Sequence, residues 1–368
     1  MTAWPAGQGP APTAGRSDWL EVSTTDYHTA GEPFRIVRAG APDVPGATVA
    51  ERRQHAMRSP ETELVRRLLG HEPRGHADMY GGLLVPPDDD GAHLGVLFWH
   101  KDGWSTACGH GTIALGAWAV ESGLVAPDAD GTADVVVDVP SGRVVAKVRC
   151  VDGQVDSVTF QNVPSYVLHR AVPVRTSRGV VGVDVVYGGA IYATLAADEL
   201  GLAVEPAHHD ELLAVGREIK HALDRHEVAR HPEDDRLSGV YGTILVDDLG
   251  QLPEASGAGG RRLHQRNVTV FADGQIDRSP CGSGTAARVA LLAADGLLGP
   301  DDELVHDSIV GTRFLARLAG TVPASVRASA GGHREGVVVE VTGTAHRTGE
   351  HTFVLDPRDD LGTGFVLR

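Results

Sequence analysis

The stretch Asp277–Arg288, DRSPCGSGTAAR, places a cysteine where a loop turns into a helix. Its first residues are turn formers, and Thr285–Leu292 is a mostly apolar run of helix formers, so the helix should begin near Cys281. The unpaired N–H groups and the positive dipole end of a helix stabilise a thiolate, and they stabilise a bound carboxylate equally. We therefore expect Cys281 to be a reactive thiol that ionises more easily than a free one.

A second segment repeats this arrangement. Cys108-Gly109-His110-Gly111-Thr112 matches Cys281–Thr285 at four of five positions and also leads into an apolar run. Two thiols at two helix starts suit one chemistry, in which one thiolate removes a proton from a carbon acid and the other thiol returns a proton to the opposite face. Such a reaction inverts a stereocentre. The third cysteine, Cys150, lies in the alternating segment Arg143–Cys150 and is interpreted as a buried strand residue.

Four segments, in the same order, resemble the proline racemase family, whose fold is diaminopimelate-epimerase-like. The resemblance extends over almost the whole chain, and the matching segments are Asp26–Val37, Glu72–Gly81, the Cys108 motif and Asp277–Thr285. It implies an α+β fold of two pseudo-symmetric domains, each a mostly antiparallel sheet wrapped on a central helix. The active site would lie in the cleft between the domains, and the cleft would close on its ligand.

The resemblance also implies how the chain is divided. Residues 18–163 together with about 350–368 would form the N-terminal domain, which carries Cys108, and residues 164–349 would form the second domain, which carries Cys281. Met1–Ser17 is rich in Pro, Ala and Gly and is predicted to be a disordered tail. The residue pattern predicts one helical stretch over Thr48–Leu69 and a buried helix over Thr112–Gly123.

Composition limits the partners of the protein. At 368 residues with 42% hydrophobic content, the chain can form two domains with their own cores. It has 33 Lys and Arg against 49 Asp and Glu, a net charge of −16, which disfavours nucleic acid and anionic membrane surfaces as partners. Three cysteines and the absence of a long apolar run indicate a cytoplasmic enzyme without disulfides. We expect a small-molecule substrate, and a homodimer is one assembly that remains open.

Carried over from the resemblance, each motif residue has an expected role. Cys108 and Cys281 would alternate as thiolate base and thiol acid, with no cofactor and no metal. His110 and Asp277 would contact the ammonium group of the substrate, and Tyr80 and Phe271 would form the wall against its ring. The substrate carboxylate would be held by backbone N–H groups at the two helix starts, namely those of Gly109, His110, Gly282 and Ser283.

The expected substrate is proline or a hydroxyproline. A buried tyrosine hydroxyl at Tyr80 needs a partner, which a hydroxylated ring could supply, so 2-epimerisation of trans-4-hydroxy-L-proline ranks first and proline racemisation second. Typical trans-3-hydroxy-L-proline dehydratases of the family have Thr or Ser in place of the second cysteine, so Cys281 argues against dehydration. That alternative stays open, because four segments resemble the dehydratase branch: Glu72–Tyr80, Trp104–Thr106, Leu237–Thr243 and Gly349–Phe353.

Other chemistries fit the sequence less well. A pyridoxal-phosphate racemase needs a Schiff-base lysine, and none of the three lysines stands in a phosphate-binding context. A cysteine hydrolase would leave the second thiol unexplained, as would an amino-acid-binding protein without activity. Zinc binding by the thiols and His110 lacks a Cys-x-x-Cys spacing. His28 and Glu32 are interpreted as residues that orient loops around the site, because Gly31 and Pro33 mark a tight turn between them.

Overall fold

A computed structural model describes residues 19–253, 259–327 and 333–367 of the chain. The predicted tail Met1–Ser17 lies outside these residues. Within them, the helices are α1 (Val49–Ala56), α2 (Pro60–Gly70), α3 (Gly109–Glu121), α4 (His209–Leu223) and α5 (Gly282–Ala294). None of these helices is long and apolar enough to cross a membrane.

The single helical stretch predicted over Thr48–Leu69 is wrong, because two helices occupy it. Thr48 caps α1 by accepting the N–H of Glu51, and Ser59 caps α2 by accepting the N–H of Thr62. Proline lacks the N–H that a helix interior needs but fits the first turn, so Pro60 starts α2 and cannot continue α1.

The described part of the chain also contains four short 3₁₀ helices and eighteen strands. In the first half the strands are β1 (Leu20–Thr29), β2 (Glu32–Ala39), β3 (Tyr80–Val85), β4 (Leu94–His100), β5 (Gly103–Trp104), β6 (Thr132–Val139), β7 (Gly142–Val151) and β8 (Gln154–Gln161). Those that follow are β9 (Tyr166–Thr176), β10 (Gly179–Tyr187), β11 (Ile191–Ala196), β12 (Val240–Leu252), β13 (Arg262–Phe271), β14 (Gln275–Ile276), β15 (Glu303–Ser308), β16 (Arg313–Arg327), β17 (His333–Gly343) and β18 (Ala345–Leu355).

The strand pairings repeat from one half of the chain to the other. One set is ordered β18–β1–β2–β3–β4–β6–β7–β8, and the other is ordered β9–β10–β11–β12–β13–β15–β16–β17. Both sets follow the same series of pairs: antiparallel, antiparallel, parallel, antiparallel, parallel, antiparallel, antiparallel. The short strands β5 and β14 pair with β4 and β13. This correspondence confirms the predicted pseudo-symmetric α+β architecture.

Each set of strands packs around one buried helix. Helix α3 contacts β1, β7, β8 and β18, whereas α5 contacts β9, β10, β16 and β17. The apolar sequence of α3 explains its position, since it is buried continuously from Gly109 to Ala119. Gly116 permits the close packing, because a Cβ atom there would lie 2.7 Å from the Cβ atom of Ala146 in β7.

The two sets of strands are joined where β8 pairs with β17, and the end of the chain returns to the first set. Strand β18 pairs with β1 along its whole length, from Ala345 opposite Thr29 to Leu355 opposite Leu20. We therefore propose that the second domain ends near Ala345, slightly earlier than the position near residue 350 expected from the sequence.

Candidate active site

The two cysteine motifs meet at the starts of the two central helices. Cys108 is the N-cap residue of α3, and Cys281 is the N-cap residue of α5. The next residues touch, since a Cβ atom on Gly282 would lie 2.7 Å from the Cα atom of Gly109. Only glycine at both positions lets the helix starts come this close, so the repeated Cys-Gly pair brings both thiols to one place.

Cys108 lies in a network of nearby polar groups and is 5% exposed. Its Sγ accepts a hydrogen bond from the N–H of Gly111 at 3.2 Å. The ring of His110 lies 3.4 Å away at Nδ1. The hydroxyl of Tyr80 also lies near this thiol and acts to lower its pKa.

Cys281 has equivalent surroundings but an unusual backbone. Its φ of 61° lies in the left-handed region, where residues other than glycine are strained and where functional residues are often found. Its N–H donates to Ser279 Oγ at 3.0 Å, and its Sγ lies 3.7 Å from the hydroxyl of Tyr192. Each thiol therefore has a tyrosine hydroxyl as a neighbour.

The expectation of easily ionised thiols is wrong for the two buried cysteines. Burial raises the pKa of the Cys108 thiol well above its ordinary value, by more than the Gly111 N–H bond lowers it. Burial likewise raises the pKa of the Cys281 thiol, and the nearby charge of Asp277 adds to the effect. A thiolate formed here is a stronger base than a free one, which suits removal of a proton from a weak carbon acid.

Asp277 and His110 also lie at this site, on opposite halves. His110 Nδ1 is 3.9 Å from Asp277 Oδ2, while Asp277 Oδ1 accepts the N–H and the hydroxyl of Ser279 at 2.8 and 2.7 Å. Burial lowers the pKa of His110 to about 3, by more than the Pro33 carbonyl raises it. Burial raises the pKa of Asp277 to about 6. At neutral pH the pair is therefore a neutral imidazole facing a carboxylate.

The helix starts also carry the N–H groups predicted to hold a carboxylate. Gly109, His110, Gly282 and Ser283 are all buried at the first turns of α3 and α5. In this structure the N–H of Gly109 donates to Ser283 Oγ at 3.2 Å across the two helices. A carboxylate that binds this N–H must take the place of the serine hydroxyl.

Aromatic side chains form a wall beside the thiols. The ring of Tyr80 lies 4.9 Å from the ring of His110 and 5.8 Å from that of Phe271, so both predicted wall residues reach the site. Phe271 stacks on Tyr241 with ring centroids 5.5 Å apart. The hydroxyl of Tyr80 hydrogen-bonds with Ser105 Oγ and accepts a bond from the Tyr241 hydroxyl at 3.2 Å.

Sequence reasoning missed Tyr192 and assigned no site role to Ser105 or Tyr241. Tyr192 is fully buried in the apolar strand β11, where the sequence gives no sign of which face the side chain takes. For Tyr241 the sequence did contain a signal, namely a repeated Tyr-Gly pair. Tyr80-Gly81 begins β3, and Tyr241-Gly242 lies at the start of β12, the strand that corresponds to β3 in the second half.

A cleft of about 490 Å³ leads to this wall from the surface. Both halves line it, and its polar residues include Arg53, Ser105, Lys220, Tyr241 and Asp273. The halves are also tied at its rim, where the N–H of Asp273 donates to Asp102 Oδ2 at 2.9 Å. Its lining includes Ser105 and Tyr241 of the wall but neither cysteine, so the thiols lie beyond the cleft in the protein interior.

Comparison with known proteins gives a consistent set of relatives. The proline racemase family model matches residues 24–366. A trans-3-hydroxy-L-proline dehydratase from Bacillus cereus is 40% identical over 345 residues, covering 94% of this chain and 98% of that protein. A 3-hydroxyproline 2-epimerase from Burkholderia multivorans is 41% identical over 348 residues, with the same coverage of 94% and 98%.

A solved structure also matches along the whole fold. A hydroxyproline epimerase from Agrobacterium vitis with bound trans-4-hydroxy-L-proline superposes with a TM-score of 0.84 at 31% identity, covering 95% of this chain and 96% of that chain. The family match thus extends over both halves and both cysteine motifs. The chain belongs to the proline racemase family of enzymes.

Proposed function

We propose that the protein is a cofactor-independent hydroxyproline 2-epimerase that inverts Cα with two cysteines, and that its substrate is 3-hydroxyproline. One observation supports the inversion of Cα by two cysteines: the two helix starts, each capped by a cysteine, meet at Gly109 and Gly282. The pseudo-symmetry of the fold supports it, since related halves present related groups to opposite faces of a ligand held between them.

The reaction needs one base and one acid that exchange roles. One cysteine, as thiolate, takes the Cα proton, and the electron pair left on Cα spreads into the carboxylate. N–H groups at the two helix starts stabilise the charge that develops there. The other cysteine, as thiol, gives its proton to the opposite face of Cα. The product is the C2 epimer, and the protonation states of Cys108 and Cys281 are reversed.

Asp277 and His110 hold the ammonium of the substrate. The carboxylate of Asp277 supplies the charge, and the neutral ring of His110 supplies a hydrogen-bond acceptor, because its pKa of about 3 leaves it unprotonated. An ammonium that stays protonated makes the adjacent Cα–H more acidic. Exclusion of water from the closed site strengthens each of these interactions.

The tyrosine wall favours a hydroxyl at ring position 3. The Tyr80 hydroxyl hydrogen-bonds with Ser105 Oγ and is near enough to the Cys108 thiol to lower its pKa, so it lies beside the sulfur that reaches Cα. The carbon bonded to Cα is C3, whereas C4 is one bond further away. The names of the relatives at 40 and 41% identity support the same position. We therefore rank 3-hydroxyproline ahead of trans-4-hydroxy-L-proline, which was the first expectation from the sequence.

Epimerisation of 4-hydroxyproline is the second candidate. The observation in its favour is the ligand of the Agrobacterium vitis relative, which is trans-4-hydroxy-L-proline in a structure with a TM-score of 0.84 to this one. That relative is 31% identical to this chain, against 41% for the relative named a 3-hydroxyproline 2-epimerase.

Proton NMR in D₂O tests the proposal. The purified protein is offered trans-3-hydroxy-L-proline, trans-4-hydroxy-L-proline and L-proline separately, with no added cofactor. The expected result is loss of the Cα–H signal of the 3-hydroxy compound with formation of its C2 epimer. Turnover of the 4-hydroxy compound instead would select the second candidate. Conversion of the 3-hydroxy compound to a dehydrated imine would contradict the two-thiol inversion and support a dehydratase.

A further inference from the structure

Glu32 is a fully buried carboxyl that the proposed mechanism does not use. It begins β2, directly after the turn at Ala30 and Gly31. Its Oε2 accepts the backbone N–H of Arg278 at 2.7 Å, whereas its Oε1 has no hydrogen-bond partner among the described residues. Buried polar atoms without partners are rare in folded proteins, and they point to a role that outweighs the cost of burial.

The turn that carries Glu32 contacts both halves of the site. Toward α3, Thr29 Oγ1 donates to the carbonyl of His110 at 2.9 Å. Toward the second half, the carbonyl of Ala30 accepts the hydroxyl of Thr312, in the turn between β15 and β16, at 2.8 Å. The Glu32–Arg278 bond lies between these contacts, one residue away from Asp277.

We propose that Glu32 is a positioning residue, whose carboxyl fixes the backbone at Arg278 and so holds the adjacent Asp277 against the substrate ammonium in the closed cleft. The inference rests on the proposed function, because it assigns Glu32 a part in holding that substrate. The loop that Glu32 orients is thus the one at Arg278, and the group it positions is the Asp277 carboxylate.

The charges around Glu32 support a neutral carboxyl. Burial raises the pKa of Glu32 well above its ordinary value, and the negative charges of Asp277 and Asp78 raise it further, while Arg278 opposes them. Because the negative charge of Asp277 opposes ionisation of the buried Glu32, we expect Glu32 to be the neutral member of this pair near neutral pH. A neutral Glu32 still accepts the Arg278 N–H through its carbonyl oxygen, and it leaves the negative charge on Asp277, where the ammonium needs it.

Two substitutions separate hydrogen bonding from charge. Glu32→Gln keeps a carbonyl oxygen for the Arg278 N–H and is neutral, so we expect kcat/KM at pH 8 within about threefold of the unmodified protein. Glu32→Ala leaves that N–H without its acceptor, so we expect kcat/KM to fall by at least about thirtyfold. Glu121→Gln is the matched control, since Glu121 also accepts one hydrogen bond, from the Tyr27 hydroxyl, but lies away from the site.

A pair of ligands shows whether the effect passes through Asp277. Hydroxyproline carries an ammonium and pyrrole-2-carboxylate does not, so we expect Glu32→Ala to weaken binding of hydroxyproline about tenfold and that of pyrrole-2-carboxylate less than about threefold. Retained pyrrole-2-carboxylate binding also shows that the variant is folded. If the unmodified protein turns over no proline-type substrate, the proposed function fails whatever Glu32 does.

Two results would overturn the positioning role. If Glu32→Gln lost as much activity as Glu32→Ala, the ionised carboxyl itself would be required. If Glu32→Ala kept full kcat/KM, the contact with Arg278 would have no part in holding Asp277.

Discussion

The hydroxyl of Tyr192 lies 3.7 Å from Sγ of Cys281, as the hydroxyl of Tyr80 lies within hydrogen-bonding reach of Cys108. A hydroxyl that donates to a thiolate stabilises it and lowers the pKa of the thiol. The two tyrosines therefore offset part of the rise in thiol pKa that burial causes, one at each cysteine.

Tyr192→Phe should raise the pKa of Cys281 and leave that of Cys108 unchanged. Loss of one hydrogen bond to a charged sulfur should raise the pKa of the thiol by about one unit. The measurement is the pH dependence of alkylation by iodoacetamide at each cysteine, resolved by peptide mass spectrometry. Tyr80→Phe is the matched control and should affect Cys108 instead. Equal changes at both cysteines in either variant would mean that the tyrosines act on the whole site.

Gly282→Ala should separate the two helix starts. The added Cβ would lie 2.7 Å from Gly109 Cα, so one backbone must move and the N–H groups no longer converge on one carboxylate. We expect kcat/KM to fall by at least about a hundredfold, because displacements near 1 Å have effects of this size. Gly320→Ala is the control, since a Cβ there meets nothing within 4 Å, and it should leave activity unchanged. Normal activity in Gly282→Ala would show that the close approach is not needed.

The activity should fall on the acid side of pH 6. The pKa of Asp277 is raised to about 6 by burial, so below this pH the carboxyl gains a proton and loses the charge that faces the substrate ammonium. We expect kcat/KM to decrease about tenfold per pH unit there. In Asp277→Asn the decrease near pH 6 should disappear while the overall kcat/KM becomes much lower. A decrease at the same pH in Asp277→Asn would assign the titration to another group.

Local sequence signals predicted where the helices begin, but they did not predict how deeply the two thiols are buried. The Cys-Gly-x-Gly-Thr motif positions Cys108 and Cys281 correctly, because capping and apolar runs act over a few residues. The pKa of the thiols was misjudged because it depends on burial between two halves that are distant in the sequence. Tyr192 was missed for a similar reason, since the pairing of β11 decides which face its side chain takes. Pro60 was a local signal that should have divided the stretch Thr48–Leu69.

The most direct test of the two-thiol account is the isotope content of substrate and product in D₂O early in the reaction. With two bases, the proton removed by one thiol stays on that sulfur, and the new Cα proton comes from the other thiol, which has exchanged with solvent. We expect the C2 epimer of 3-hydroxyproline to carry deuterium from its first appearance and the recovered substrate to carry almost none. Cys108→Ser and Cys281→Ser should each abolish formation of the epimer. An epimer that retains the hydrogen of the substrate, or a single variant that still inverts Cα, would contradict the account.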